Sequence, residues 1–150
     1  LAALGELGIT TSTVAARRFG GPGSAVAAAS RLGVTIEQVL WSNVEAVLQA
    51  ARAVDLIVST VPAGVADPLA QCLDVRDGQV LLDVVYSPRN TALRSVFEAG
   101  GGIIAEGTDM LVYQAGAQVQ LMTGRSPDID VMRTALEEEL ERRSREGAAS

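Results

Sequence analysis

Asp55-Leu56-Ile57-Val58-Ser59-Thr60-Val61 is the stretch that decides the fold, and the turn residues Pro62-Ala63-Gly64 close it. Its apolar, β-branched run is typical of a strand that is buried on both faces. A second run of the same kind, VLLDVV, occupies Val80–Val85. Because strands of this kind alternate with helical segments, we predict an α/β fold with a doubly wound, mostly parallel sheet.

The rest of the chain follows the same alternation. Serine, threonine and aspartate at the starts of the helices, and glycine at their ends, mark the expected boundaries. We predict Ser24, Asp67 and Asp109 as N-caps, and a tail that frays from Arg145. The predicted helices are Leu1–Leu7, Ala25–Leu32, Val44–Ala53, Pro68–Leu73, a helix from Asn90 or Thr91 to Ala99, Asp109–Thr123, and a helix from Asp128 or Asp130 to Arg143. The other predicted strands are Ile9–Ala16, a short one within Thr35–Trp41, and Ile103–Ala105.

Composition excludes several classes of protein. With 150 residues, 48% of them hydrophobic, the chain is large enough for one folded domain or most of one. No apolar run is long enough for a membrane helix. A net charge of −6 argues against nucleic-acid binding, and the single Cys72 excludes an internal disulfide or a cysteine zinc cluster.

Histidine and lysine are both missing, so all twelve basic residues are arginine. Arginine stays protonated and rarely serves as an acid or a base. The chain therefore has no histidine base, no Schiff-base lysine and no P-loop lysine. Either its acid–base chemistry uses Asp, Glu, Tyr or Cys, or the chain binds a ligand while another segment supplies the chemistry.

In parallel α/β sheets, ligands bind beyond the carboxyl ends of the strands. Arg17 and Arg18 directly follow the first strand. In a dinucleotide-binding fold this loop meets the adenosine ribose, where arginine suits a 2′-phosphate. The alternative is that both are solvated surface side chains.

Three further candidates lie at predicted strand ends or after them. Ser59–Gly64 has small residues that let a flat ring approach the backbone, although, taken alone, a plain turn that closes the strand is the favoured explanation. Tyr86 leaves the second buried strand, whereas Asp83 is predicted to bond nearby loop amides. Met110, Gln114 and Gln118 are four residues apart on one helical face, and the amide side chains of this row could bond hydroxyl groups of a polar substrate. A solvated face is the alternative for this row.

Three segments together resemble the C-terminal, NADP-binding domain of shikimate dehydrogenases. The third is the most specific, because its order and spacing match the closing motif of that family. The segments are Asp55–Gly64, then Leu82–Pro88 with Thr91 and Leu93, and then Gly107 with Met110–Val112, Gln114-Ala115, Gln118, Leu121 and Thr123-Gly124. The resemblance implies a Rossmann-like fold with NADP as its cofactor.

The resemblance also implies two groups of site residues. Arg17, with Arg18 assisting, would hold the 2′-phosphate of NADP, while Tyr86 and Gln114 would contact shikimate or 3-dehydroshikimate. Other implied cofactor contacts are Ser59, Thr60, Val61, Gly107 and Met110. We expect no catalytic residue and no metal ligand in this chain.

Several features depart from the family pattern. Its glycine-rich loop and first strand would precede residue 1, and its catalytic lysine and aspartate lie in an N-terminal substrate domain. We therefore expect an incomplete NADP-binding domain over residues 1–146, a frayed tail over 147–150, and negligible activity of this fragment by itself. Asp109 replaces a usual glycine near the nicotinamide, where it could repel a phosphate. Ala16 and Gly20-Gly21 also differ from the family.

The implied function is that of a shikimate dehydrogenase, an oxidoreductase that reduces 3-dehydroshikimate to shikimate with NADPH in aromatic amino acid biosynthesis. Two alternatives stay open: a quinate or shikimate-type paralogue, and a non-catalytic NADP-binding module. We expect a cytoplasmic protein without nucleic-acid or membrane partners. A homodimer is a further open alternative.

Overall fold

A computed structural model describes residues 1–88 and 90–148. The chain divides into two compact units, which we call the amino-terminal unit, Leu1–Val54, and the carboxy-terminal unit, Asp55–Ser150. The predicted α/β class with parallel strands is confirmed, and the described strands form two sheets, one of two strands and one of three.

The amino-terminal unit contains a two-stranded parallel sheet and three helices. The strands pair in register from Thr11 opposite Thr35 to Ala16 opposite Leu40. Its buried apolar residues include Ala29. The elements are α1 (Ala2–Glu6), β1 (Thr11–Ala16), α2 (Ala25–Leu32), β2 (Thr35–Leu40) and α3 (Val44–Ala53).

Local signals at both ends of α2 confirm its predicted bounds. The Ser24 hydroxyl accepts a hydrogen bond from the backbone N–H of Ala27 at 3.3 Å, which satisfies one of the free donors of the first turn. Gly33 ends the helix with a φ of 65°, a left-handed conformation that favours glycine.

The carboxy-terminal unit is built on a parallel sheet in the order β3-β4-β5. Leu81 of the central strand and Phe97 of α5 are completely buried. Leu93 and Val112 are also buried apolar residues of this unit. The elements are β3 (Leu56–Ser59), α4 (Asp67–Ala70), β4 (Val80–Asp83), α5 (Ala92–Ala99), β5 (Ile103–Glu106), α6 (Gly107–Thr123) and α7 (Ile129–Ala148).

The prediction that Asp55–Val61 is buried on both faces is wrong. Leu56 is 37% exposed and Val58 is 43% exposed. Within the described residues β3 pairs with β4 and with no other strand, so it is an edge strand of its sheet. The apolar run therefore predicted the strand but not its place in the sheet.

Several helix boundaries also differ from prediction, chiefly those of α4, α6 and α7. Asp67 is the first residue of α4, and Ala66 is its N-cap. Asp109 lies inside the first turn of α6, which begins at Gly107 with Glu106 as its N-cap. The last helix continues to Ala148, beyond the predicted fraying point at Arg145, while residues 149–150 of the predicted tail lie outside the described part.

Over residues 1–88 and 90–148, every helix is too short or too polar to cross a membrane. The same ranges contain no group of three or more His, Cys, Asp or Glu side chains arranged to hold a metal ion.

Candidate functional site

The three strands of the carboxy-terminal unit end in a row of polar residues. Ser59 is opposite Asp83, and Asp83 is opposite Glu106, at the last paired position of each strand. Because the strands are parallel, all three carboxyl ends meet at one edge of the sheet. This confirms that the segments after Ser59, Asp83 and Glu106 leave the sheet on the same side.

Asp83 anchors the loop that follows β4. Its side chain is buried, with the residue 8% exposed. One carboxylate oxygen accepts from the N–H of Val85 at 3.2 Å, and the other accepts from the hydroxyl of Thr91 at 2.8 Å. The predicted structural role of Asp83 is thus confirmed, and these bonds offset the cost of burying its charge. Tyr86 lies in the loop held between these two bonds.

Thr91 connects this loop to α5. Besides donating to Asp83, the Thr91 hydroxyl accepts from the backbone N–H of Arg94 at 3.2 Å and caps the helix. Thr91 therefore fixes both the end of the loop and the start of α5. Of the two predicted starts of this helix, Asn90 and Thr91, the structure has Thr91 as the N-cap.

An ion pair between Arg94 and Glu106 was not predicted from the sequence. The guanidinium donates two bonds to the Glu106 carboxylate, at 2.9 and 2.8 Å, and a third bond to Glu98 at 2.8 Å. The hydrogen bond to Glu106 is the main cause that raises the pKa of Arg94 above its ordinary value. The two-point geometry fixes the orientation of both side chains.

Gly107 explains why α6 can begin directly against β4. A Cβ atom at this position would lie 2.5 Å from the carbonyl oxygen of Asp83 and 3.3 Å from the backbone of Val84. Real Cβ atoms do not approach backbone that closely, so any side chain here would force α6 away from the strand. The glycine is therefore a requirement of this packing.

Two shallow depressions adjoin at this edge and share Asp83, Val85 and Thr91 in their walls. The first also contains Tyr86, Arg94, Ile104, Ala105, Glu106, Gly107 and Thr108. The second also contains Ser59, Val61, Pro62, Ala63, Gly64, Ala66, Asp67 and Leu93. The structure thus brings four predicted site residues, Ser59, Val61, Tyr86 and Gly107, to one edge. Thr60 is exposed beside them.

The row Met110, Gln114 and Gln118 lies along α6, which starts at this edge. All three residues are exposed. This exposure is compatible both with contacts to a polar substrate and with a solvated helix face. None of the three lines the two depressions.

Asp109 is engaged by the last helix. Its carboxylate accepts from Arg133 Nε at 3.0 Å, and the same guanidinium donates to Asp130 at 2.8 Å. Asp109, and then Tyr113, raise the pKa of Arg133 above its ordinary value. The negative charge of Asp109 is therefore compensated within the carboxy-terminal unit.

Arg17 and Arg18 follow β1 in the amino-terminal unit, and both are exposed. Within residues 1–88 and 90–148, neither side chain has a hydrogen bond or an ion pair. Their guanidinium groups keep all their donors for a ligand or for solvent.

Comparisons with known proteins point to one family. Residues 107–137 match the family model described as shikimate 5′-dehydrogenase C-terminal domain. A curated shikimate dehydrogenase (NADP(+)) from Methanothermobacter thermautotrophicus is 31% identical over 107 residues, which cover 68% of this chain and 38% of that protein.

Solved structures agree with this match. The shikimate dehydrogenase of Mycobacterium tuberculosis is 35% identical with a TM-score of 0.78, over 90% of this chain and 50% of that one. The Thermus thermophilus enzyme, solved in complex with NADP(H) and shikimate, is 27% identical with a TM-score of 0.66, over 91% of this chain and 48% of that one. The chain spans about half the length of these two solved relatives.

Proposed function

We propose that this chain, which is related by sequence and by fold to the C-terminal domain of shikimate dehydrogenases, binds NADP(H) and orients it toward a shikimate-type substrate. The parent protein would reduce 3-dehydroshikimate to shikimate with NADPH. One observation carries the proposal: the segment that matches the family, beginning at Gly107, starts at the polar edge formed by Ser59, Asp83 and Glu106.

The proposed cofactor phosphate site is the loop after β1. Arg17 and Arg18 are exposed and unpaired within the described residues, so binding a phosphate would not break an existing ion pair. A planar guanidinium offers two parallel donors to a phosphate, and it stays charged at any physiological pH. This chemistry supports NADP(H) over NAD(H), because the two differ by the 2′-phosphate.

Other cofactor contacts are proposed at the carboxyl edge of the three-stranded sheet. Ser59, Thr60 and Val61 would line the cofactor path, where small side chains leave the backbone accessible. Gly107 and Met110 would lie near the nicotinamide. The close approach of Gly107 to β4 supports this assignment, because it leaves no side chain between the start of α6 and the edge.

The proposed substrate contacts are Tyr86 and Gln114. Tyr86 is 41% exposed in the first depression, and Gln114 is exposed one turn after Met110 on α6. A phenol and an amide both donate and accept, which suits a substrate that carries several hydroxyl groups and a carboxylate.

Bound NADPH would supply the hydride, and this chain would orient the nicotinamide. The chain has no histidine and no lysine, so a general acid of its own at this edge would have to be a carboxyl group or Tyr86. We propose that the proton comes from a lysine outside this chain, as the resemblance implies.

Turnover by the protein from the complete reading frame tests the proposal. We expect shikimate-dependent formation of NADPH from NADP+, followed by absorbance, with quinate as a second substrate to decide between the two acids. NADP+ binding without turnover of either acid would favour the non-catalytic module. Failure to bind NADP+ at all would overturn the proposal. The cytoplasmic location and the homodimer stay predictions.

A further inference from the structure

A continuous set of bonds joins two segments of the proposed site. It starts in the loop after β4, where Asp83 holds Val85 and Thr91. It passes from Thr91 to the backbone of Arg94 in α5. The Arg94 side chain then reaches Glu106, the residue that caps α6.

The loop after β4 depends on this set of bonds. Among the described residues, Tyr86, Ser87 and Pro88 make no hydrogen bond of their own. The hydrogen bonds that hold this segment on either side are those of Val85 and Thr91, and both go to Asp83. A shift of α5 would move Thr91 and, with it, the loop that carries Tyr86.

The start of α6 depends on the same helix. Glu106 is the N-cap of α6 but makes no side-chain capping bond, and its carboxylate instead accepts from Nη1 and Nη2 of Arg94. The next residue, Gly107, lies against the backbone of Asp83 and Val84. A displacement of Glu106 would therefore change the contact between the start of α6 and β4.

We infer that Arg94 and Glu106 are positioning residues that hold the Tyr86 loop and the first turn of α6 as one unit. Their effect on substrate and cofactor rests on the proposed function. Arg94 is 23% exposed at its side chain and Glu106 is 34% exposed, so the pair is only partly screened by solvent. The two-point contact fixes an angle as well as a distance, which a single-point contact does not.

The same arginine supplies a matched control. Arg94 also bonds Glu98, which is one turn further along α5 and 52% exposed at its side chain. Glu106→Gln and Glu98→Gln are the same chemical change on two partners of one guanidinium. Only the first partner belongs to the start of α6.

The experiment compares these two variants in the protein from the complete reading frame. Glu106→Gln is expected to raise both the KM for shikimate and the Kd for NADP+ by about five- to twentyfold, because a charged two-point bond is lost at a partly buried site. Glu98→Gln is expected to change either constant by less than about twofold. Arg94→Lys keeps the charge but loses the fork, so it should raise both constants by an intermediate factor.

Hydrogen exchange gives a readout that does not require activity. Backbone amides of the loop after β4 and of the first two turns of α6 should exchange faster together in Glu106→Gln, and at wild-type rates in Glu98→Gln. Faster exchange in one segment only, or equal effects of the two variants, would overturn the inference. So would a lower Tm with unchanged KM and Kd, because that outcome describes a purely structural pair. A wild-type protein that neither binds NADP+ nor oxidises shikimate would contradict the proposed function, while the exchange comparison would still decide the coupling.

Discussion

The two units present their candidate residues in opposite ways. In the amino-terminal unit, Arg17 and Arg18 extend from the end of β1 without a bond to the described residues. In the carboxy-terminal unit, Asp83, Arg94 and Glu106 are joined through hydrogen bonds that also fix the backbone around them. The first arrangement supplies charge that can be removed without disturbing the fold. The second holds the backbone of the loop after β4 and the start of α6, so removing one side chain is expected to move the segments bonded to it.

The largest effect is expected for Gly107→Ala, in the bonded network of the carboxy-terminal unit. The new Cβ would meet the Asp83 carbonyl oxygen at 2.5 Å, so α6 must move away from β4. We expect a loss of about 1–3 kcal/mol in unfolding free energy, as for other overpacked sites. Turnover should fall by about a hundredfold, because the positioned groups shift. Urea unfolding and steady-state kinetics measure the two effects.

Gly116→Ala is the control for that variant. Its Cβ would meet only Cδ1 of Ile129 at 2.7 Å and Cγ of Pro127 at 3.6 Å, and the isoleucine end can rotate away. We expect a smaller loss of stability and near wild-type turnover. A Gly107→Ala protein as active and stable as the Gly116→Ala protein would show that the close approach to β4 is unimportant.

Arg17→Ala tests the exposed arginines of the amino-terminal unit. We expect NADPH binding to weaken by about ten- to a hundredfold, which corresponds to one charged hydrogen bond of about 1.5–3 kcal/mol. NADH binding and Tm should stay close to wild type, because Arg17 is exposed and has no bond within the described residues. Titration of both reduced cofactors measures the difference.

Arg31→Ala removes another exposed arginine from the same unit, in the last turn of α2, and controls for net charge. It should leave the preference for NADPH unchanged. If Arg17→Ala weakens NADPH and NADH equally, the assignment of the 2′-phosphate to Arg17 is wrong.

The smallest effect is expected at Asp109. Its charge is already compensated by Arg133, so Asp109→Asn should change the Kd for NADP+ by less than about threefold. Arg133→Met should weaken NADP+ binding more than Asp109→Asn does, because it leaves the carboxylate of Asp109 without its partner. Equilibrium binding of NADP+ to both variants measures this order. Tighter binding after Asp109→Asn would show instead that the aspartate repels the cofactor.

Local signals in the sequence predicted much of the fold. Ser24 and Gly33 mark the two ends of α2. Both signals are local, because an N-cap hydroxyl and a left-handed glycine act on backbone groups only a few residues away. Thr91 marked the start of α5 for the same reason. The common edge of Ser59, Asp83 and Glu106 followed from parallel topology, which the alternation of strands and helices indicates.

Features that depend on tertiary packing were not predictable in this way. The pair Arg94–Glu106 requires α5 and the end of β5 to lie side by side, and no spacing rule connects those positions. The side chain of Asp109 suits an N-cap, but α6 starts two residues earlier, where Gly107 lies against the backbone of Asp83 and Val84. The exposure of Leu56 and Val58 depends on which strands pair with β3, and an apolar run does not specify that.

The most direct test of this account is the cofactor preference of shikimate oxidation by the protein from the complete reading frame. The measurement is kcat/KM for NADP+ and for NAD+ at saturating shikimate. We predict that NADP+ is preferred by at least about tenfold, as one charged contact to the 2′-phosphate provides. Equal use of the two cofactors, or a preference for NAD+, would contradict the account.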